Sequence, residues 1–283
     1  MAIRNIKKHE VLPKIVPIWQ PQGYSTHIIA AKVSELYGVK TSHTGTLDPM
    51  AAGVIIVLLE EDRLKKYEYA EWIKGYEFEI ILGLETDSYD GLGLITQDKS
   101  SGVELVPEKE VMAVLEGFLG KYEQEIPIYS AIKVRGKPLH WWARKGKLNK
   151  IQIPKRAGEI KKIELMGVTE VSTEVFVSEM VEKIGKISGN LRQMEIQEQW
   201  REFGNNSKTK RLTKIKIYAE LTKGLYVRSL AQDITKSLNN IGMVASINRN
   251  MNGNYKKCNS KTLEDVFGKD FLSKYNFSSI SNG

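Results

Sequence analysis

The sequence is short of the residues that staple or metallate a fold. Its single cysteine, Cys258, excludes a disulfide framework and any cysteine-cluster metal site. The four histidines are scattered, with no HExxH or HxH spacing, so no zinc site is expected. The longest apolar run, PMAAGVIIVLL at 49–59, is well short of the ~20 residues a membrane helix needs. The basic N-terminus, MAIRNIKKHEVLPKI, has no continuous apolar stretch, so no signal peptide is expected. These absences point to a cytoplasmic protein that works without metal or membrane.

A further absence is local. From Ile126 to Gly158 there is no Asp or Glu, while nine Lys or Arg fall there. With 34 acids among 283 residues, about four would be expected by chance. The same segment, YSAIKVRGKPLHWWARKGKLNK, carries Tyr129, His140, Trp141 and Trp142. Basic groups neutralise phosphates and aromatic faces stack on bases, so the segment reads as a nucleic-acid contact. The alternative is a solvated basic loop anchored by its two tryptophans. A net charge of +8 and a pI near 9.2 agree with a polyanionic partner, though only weakly over a whole chain.

What is present is an ordinary globular composition, 41% hydrophobic and 27% charged. GYSTHIIAAKVSELYGVK has a Ser/Thr cap, helical apolar spacing and a closing Gly38. VIIVLL (54–59) reads as a strand buried on both faces. GYEFEIILG alternates as a half-buried strand with Tyr76, Phe78 and Ile80 on one side, and ETDSYDGLG ends it in a turn. VPEKEVMAVLEGFLG predicts a helix with Val111, Met112, Leu115, Phe118 and Leu119 as its stripe. TKIKIYAEL predicts a strand, and KGLYVRSLAQDITKSL a passage from strand to helix. Met180, Ile184, Ile187, Leu191 and Met194 predict a helical arm with a narrow seam, weakened by Gly185 and Gly189.

HTGTLDPMAAG (43–53) sets one carboxylate, Asp48, among small turn-forming residues. Asp before Pro is a common helix N-cap with proline at the first helical position. Proline also biases its predecessor toward extended geometry, which can project a side chain out of a rigid turn. The residues alone leave both readings open.

Set beside the other segments, HTGTLDPMAAG resembles the catalytic motif of the TruB family of pseudouridine synthases, which isomerise uridine 55 in the T arm of tRNA. KGYEFEIILGLETDSYDGLG is similar to the family's strand with its pocket tyrosine and the turn after it. IPIYSAIKVRGKPLHWWARKG resembles its RNA-gripping insertion, KGLYVRSLAQDI its arginine-bearing segment, and SINRNMNGNY, more weakly, its last core motif. The segments keep the family's order over roughly residues 15 to 265. Two departures stand out. Gln20 replaces the usual lysine before Pro21, and Ile247, Asn250 and Met251 replace Leu, Thr and Arg.

The resemblance implies an α/β (α+β) pseudouridine synthase fold, a mixed, largely antiparallel sheet with flanking helices and an active-site cleft. It implies a catalytic domain over 1–265, with the RNA-gripping insertion at about 126–158 and the arm at about 177–210. Residues 266–283 would be a short tail, too short for a PUA domain. It assigns Asp48 as catalyst, acting as nucleophile or base on a flipped-out uridine. The pocket would be built from Tyr76, Tyr226, Arg228, Ile247 and His43. Tyr76 would stack on the base, and Arg228 would hold Asp48 ionised and oriented. Tyr226 and Arg228, two apart, would face the same side of a strand. His43 would help hold the extruded nucleotide, and Ile247 would form an apolar wall. Lys133, Arg135, Lys137, Arg144 and Lys145 would meet RNA. Asp90 reads as a structural Asx turn.

Isomerisation adds no atoms and changes no oxidation state, so no cofactor or metal is expected. The expected partner is the tRNA T-arm stem-loop, with the protein a monomer. The rivals are an RNA-binding protein without the chemistry, a carboxylate hydrolase of small N-glycosides, and the same chemistry on another, guide-directed RNA.

Overall fold

A computed structural model of the chain describes residues 12–269. The polypeptide divides into two compact units. Among the described residues the first holds 12–76, Glu182–Gln193 and 248–269; the second holds Glu77–Val181 and Met194–Ile247.

In chain order the elements begin with β1 (Ile15–Gln20), α1 (Thr26–Tyr37), β2 (Thr41–Thr44), β3 (Ala51–Leu59), α2 (Lys66–Ala70) and β4 (Lys74–Leu82). There follow β5 (Leu84–Thr86), β6 (Ile95–Asp98), α3 (Glu108–Glu116), β7 (Gly120–Glu125), β8 (Lys133–Val134), β9 (Lys137–Pro138) and α4 (Leu139–Arg144). The remainder is β10 (Lys155–Ser172), α5 (Thr173–Gly185), α6 (Gln193–Asn206), β11 (Arg211–Leu221), α7 (Val227–Ser237), β12 (Gly242–Asn252), β13 (Tyr255–Lys256) and α8 (Leu263–Phe267). The fold is α/β, built on a large, mostly antiparallel sheet with flanking helices.

In the first unit the strand path runs β1-β3-β12, with β2 beside β3 and β13 beside β12. β1 lies antiparallel to β3, from Ile15 opposite Leu58 to Gln20 opposite Gly53. Every residue from Val54 to Leu59 is buried, as a strand with no solvent face requires. One face, Val54, Ile56 and Leu58, is packed by Ile15, Trp19, Tyr69, Trp72 and Tyr255. Helix α1 lies against β3 and buries Ile29, Val33 and Tyr37; it ends at Gly38 in the left-handed conformation, as its sequence predicts.

In the second unit the path runs β12-β4-β11-β10-β7. The alternation expected of β11 is present: Ile215, Ile217, Ala219 and Leu221 are buried. Along β4, Phe78 and Ile80 are buried while Glu77 and Glu79 bind Lys216 and Lys214 at 2.8 and 2.9 Å. Trp200 is fully buried with its indole N–H bonded to the Gly91 carbonyl at 3.1 Å and its ring edge-on to Phe176 and Phe203. A large apolar side chain so placed, with its polar handle satisfied, contributes on the order of 3 kcal/mol.

Three expectations change. The predicted arm is two helices, α5 and α6, interrupted between Gly185 and Gln193. Met180, Ile184 and Ile187 are buried, but Met194 is 85% exposed, and α6 buries Ile196, Trp200 and Phe203 instead. Glycine at 185 and 189 and a left-handed Arg192 end the seam, since helix cannot continue through that backbone. Helix α3 stops at Glu116, leaving Met112 and Leu119 exposed and Val111 and Leu115 as its buried stripe. The third change concerns Arg228.

Candidate functional site

Strand β2 ends at Thr44 and β3 begins at Ala51, so the HTGTLDPMAAG motif is a strand–loop–strand connection. The Asp48 carbonyl accepts the Ala51 N–H at 2.9 Å, a tight turn with Pro49 at the position its fixed φ suits. The turn enters a strand. Asp48 therefore caps no helix, and its side chain is half-buried in a short loop. The loop is tied down on the α1 side. The Leu47 N–H donates to Thr26 Oγ1 (3.3 Å), and that hydroxyl donates to Gln20 Oε1 (2.7 Å). Gln20 Nε2 in turn donates to the Tyr24 carbonyl (2.7 Å), and the Gly23 N–H donates to the Pro49 carbonyl (3.1 Å). Gln20 is completely buried and both gives and takes a hydrogen bond. A lysine there could only donate and could not replace both bonds.

His43 stands on β2, its Nε2 3.1 Å from Nδ1 of His27, the rings meeting edge-on at 4.5 Å. One hydrogen lies between the two nitrogens. Burial first, then the charges of His27, Arg249 and Lys66, lower the His43 pKa to about 4. Unfolded, the ring takes up its proton near pH ~6.5. Between those values the unfolded chain binds more protons, so stability falls as pH drops from about 6.5 toward 4 and levels off below that. Because the ring is partly exposed, the expected loss at pH ~5 is discounted to about 1 kcal/mol. Urea titrations should show the parent losing this much relative to His43→Gln between about pH 7 and 5; parallel curves would remove His43 as the cause.

Tyr76, on β4, is half-buried and less enclosed than Phe78 or Ile80 further along the strand, so it is not a core aromatic.

The second unit holds Tyr226 and Arg228, expected on one side of a strand. They do not lie on a strand: Lys223 and Gly224 form a turn, Tyr226 is the cap residue of α7, and Arg228 is in that helix's first turn. The buried Gln124 side chain pairs with the Tyr226 peptide, accepting its N–H and donating to its carbonyl, and Ser229 Oγ donates to the Glu125 carbonyl at 2.7 Å. These bonds seat the start of α7 on β7. Arg228 is only 3% exposed, so it is no surface arginine. Its Nη1 donates to the Ser88 carbonyl (2.9 Å), its Nη2 to the Tyr129 carbonyl (3.3 Å), and its Nε lies 3.6 Å from Asp90 Oδ2.

Asp90 does form the expected Asx turn, accepting from the Leu92 N–H (2.9 Å) and from Ser88 Oγ (2.6 Å). Its ion pair with Arg228 joins residues 138 positions apart and left no signal in the local sequence. Ile247, on β12, is 4% exposed.

The basic residues share one local structure. β8 and β9 pair as a hairpin through Arg135 and Gly136, both left-handed as a two-residue turn requires. Helix α4 follows directly. Lys133, Arg135, Lys137, Arg144 and Lys145 are all exposed. Trp142 is fastened by its indole N–H to the Val134 carbonyl (3.1 Å), while Lys137 and Lys147 lie 5.7 and 5.8 Å from the Trp141 ring centre. The tryptophans thus both anchor the segment and form part of its half-exposed face. Among the described residues no group of three His, Cys, Asp or Glu could hold a metal ion, and no helix is long and apolar enough to cross a membrane.

Residues 32–183 match the family model described as TruB family pseudouridylate synthase (N terminal domain). A tRNA pseudouridine synthase B of Mesoplasma florum is 30% identical over 253 residues, covering 89% of this chain and 72% of the relative. A protein of the same name from Malacoplasma penetrans is 28% identical over 244 residues, 86% of each. The fold is similar to that in a crystal structure of a Cbf5-Nop10-Gar1 complex, with a TM-score of 0.55 at 19% identity over 92% of this chain. The chain spans 55% of the length of that solved chain. With the family model covering more than half of the sequence and its motif folded as a rigid turn around Asp48, the chain belongs to the TruB family of pseudouridylate synthases.

Proposed function

We propose that the protein isomerises uridine 55 in the T arm of tRNA to pseudouridine, with Asp48 as the catalytic carboxylate. The observation that carries this reading is the half-buried Asp48 on a loop tied down by hydrogen bonds, in a chain of this family. The reaction cleaves the bond between N1 of the base and C1′ of the sugar, turns the freed base, and joins C5 to C1′. The C5 proton is released as N1 regains one, so no atom is gained or lost. The base must leave its stack first, because the reacting atoms are otherwise enclosed. A carboxylate serves by attacking as nucleophile or by taking a proton from the sugar.

In this reading Tyr76 stacks on the extruded base, His43 helps hold the nucleotide open, and Tyr226 and Ile247 complete the pocket. Arg228 keeps the catalytic carboxylate ionised and directed, the role the family resemblance assigns. Neutral above about pH 4, His43 offers hydrogen bonds without adding charge. The catalytic domain runs to about residue 265, acts as a monomer in the cytoplasm, and takes the 126–158 segment as its grip on RNA. Turnover of a T-arm stem-loop by the pure protein, with pseudouridine mapped to the nucleotide, tests the reading. Pseudouridine elsewhere in tRNA, or none, would refute it.

RNA binding should depend steeply on salt. The side chains of Lys133, Arg135 and Lys137 are exposed on one hairpin. Neutralising all three is expected to flatten the slope of log K against log salt by up to about two to three units. An unchanged slope would assign this hairpin to solvent.

A further inference from the structure

We propose that Arg249 is a positioning residue for catalysis: its guanidinium sets where Asp48 stands by holding the backbone on both sides of it, at the start of the loop and in the strand that follows. This rests on the reading of Asp48 given above. Arg249 lies on β12 and is 2% exposed. Its Nε donates to the Val54 carbonyl at 2.9 Å and its Nη2 to the Gly45 carbonyl at 2.9 Å. One acceptor precedes Asp48 in the chain and the other follows it. A planar group with fixed donor directions therefore spans the base of the loop.

Glycines on either side of Asp48 meet the same residue. A Cβ on Gly53, whose φ is +146°, would come within 2.6 Å of both the backbone nitrogen and the carbonyl oxygen of Arg249. A Cβ on Gly45, at φ +66°, would lie 3.2 Å from its Nη1. Glycine here permits the close approach that the two hydrogen bonds need.

Among the described residues no acid pairs with Arg249. A buried cation held only by backbone carbonyls is costly, and an apolar side chain of similar volume would fill the space more cheaply. What the arginine adds is direction. It is too enclosed to touch RNA, so its effect on the reaction passes through the loop backbone. With Thr26 and Gly23 holding Leu47 and Pro49 from the α1 side, Arg249 completes a frame around Asp48.

The test compares Arg249→Lys and Arg249→Met with the parent and with Asp48→Asn. It measures the single-turnover rate on a T-arm stem-loop, the RNA Kd and the thermal unfolding midpoint. Lysine keeps the charge but cannot donate in two fixed directions. Sub-ångström drift of a catalytic group is expected to slow Arg249→Lys by roughly 30-fold, with Kd within about threefold. Arg249→Met should be slower still, and both should show the loss at temperatures where circular dichroism reports a folded protein.

A parent-like rate in folded Arg249→Lys would overturn the positioning role. So would a loss that only tracks the unfolded fraction and vanishes on cooling, or a raised Kd at an unchanged rate. If the parent makes no pseudouridine, or Asp48→Asn is fully active, the reading of Asp48 falls and this inference with it. An active parent with an inert Asp48→Asn and a normal Arg249→Lys defeats the inference alone.

Discussion

Asp48→Asn is expected to slow pseudouridine formation by at least ~10⁴-fold, about 5 kcal/mol of barrier, while RNA binding stays within a few-fold. The amide keeps the size of the carboxylate and can keep a hydrogen bond, but it loses both the nucleophilic oxygen and the basic one. The loop keeps the Ala51 N–H on the Asp48 carbonyl, the Thr26 hydroxyl, the Gly23 N–H and the Arg249 guanidinium, bonds that do not depend on the Asp48 side chain. Single-turnover kinetics and filter binding on the same preparation separate the two effects. A pure variant turning over at a tenth of the parent rate would remove Asp48 as the catalyst.

Arg228→Lys is expected to lower kcat on the order of 100-fold with little change in KM. The arginine uses three nitrogens at once, toward Ser88, Tyr129 and Asp90. Lysine brings one nitrogen on a flexible stem, so charge survives while direction does not. Arg228→Met goes further, leaving the Asp90 carboxylate, itself 3% exposed, without this cation. Removing one member of a buried pair costs about 3–5 kcal/mol, so urea denaturation should show a loss of that size in the Met variant and a smaller one in Lys. Near-normal kcat in Arg228→Lys would refute the orienting role. A fall in RNA affinity with kcat intact would move Arg228 to the RNA-contact surface.

Neither result bears on the basic hairpin, whose proposed contribution to RNA binding would be long-range and additive over exposed charges. Its signal was strong in the sequence because an acid-free stretch is a property of composition, and folding left those side chains in solvent.

What the sequence by itself determined is whatever depends on neighbours in the chain. The period-two pattern placed β4 and β11, and the capped periodic segment ending at Gly38 placed α1. The resemblance of HTGTLDPMAAG to the family's motif singled out Asp48. Local pattern left open whether Asp48 caps a helix, since an Asp-Pro turn can open a helix or a strand. The structure decided for the strand, because VIIVLL is buried on both faces and pairs with β1.

Tertiary structure alone decided the rest. The start of α7 carries no Ser, Thr, Asp or Asn cap, and Gln124 of β7 seats it by pairing with the Tyr226 peptide; the sequence therefore looked like strand as far as Arg228. The burial of Arg228 carried no local signal, because its carbonyl acceptor at Ser88 lies 140 positions away, beyond the reach of any window read along the chain. Arg249 carried no local signal at all. It is defined by buried hydrogen bonds that exist only once β3 and β12 are assembled, and desolvation there makes those bonds obligatory.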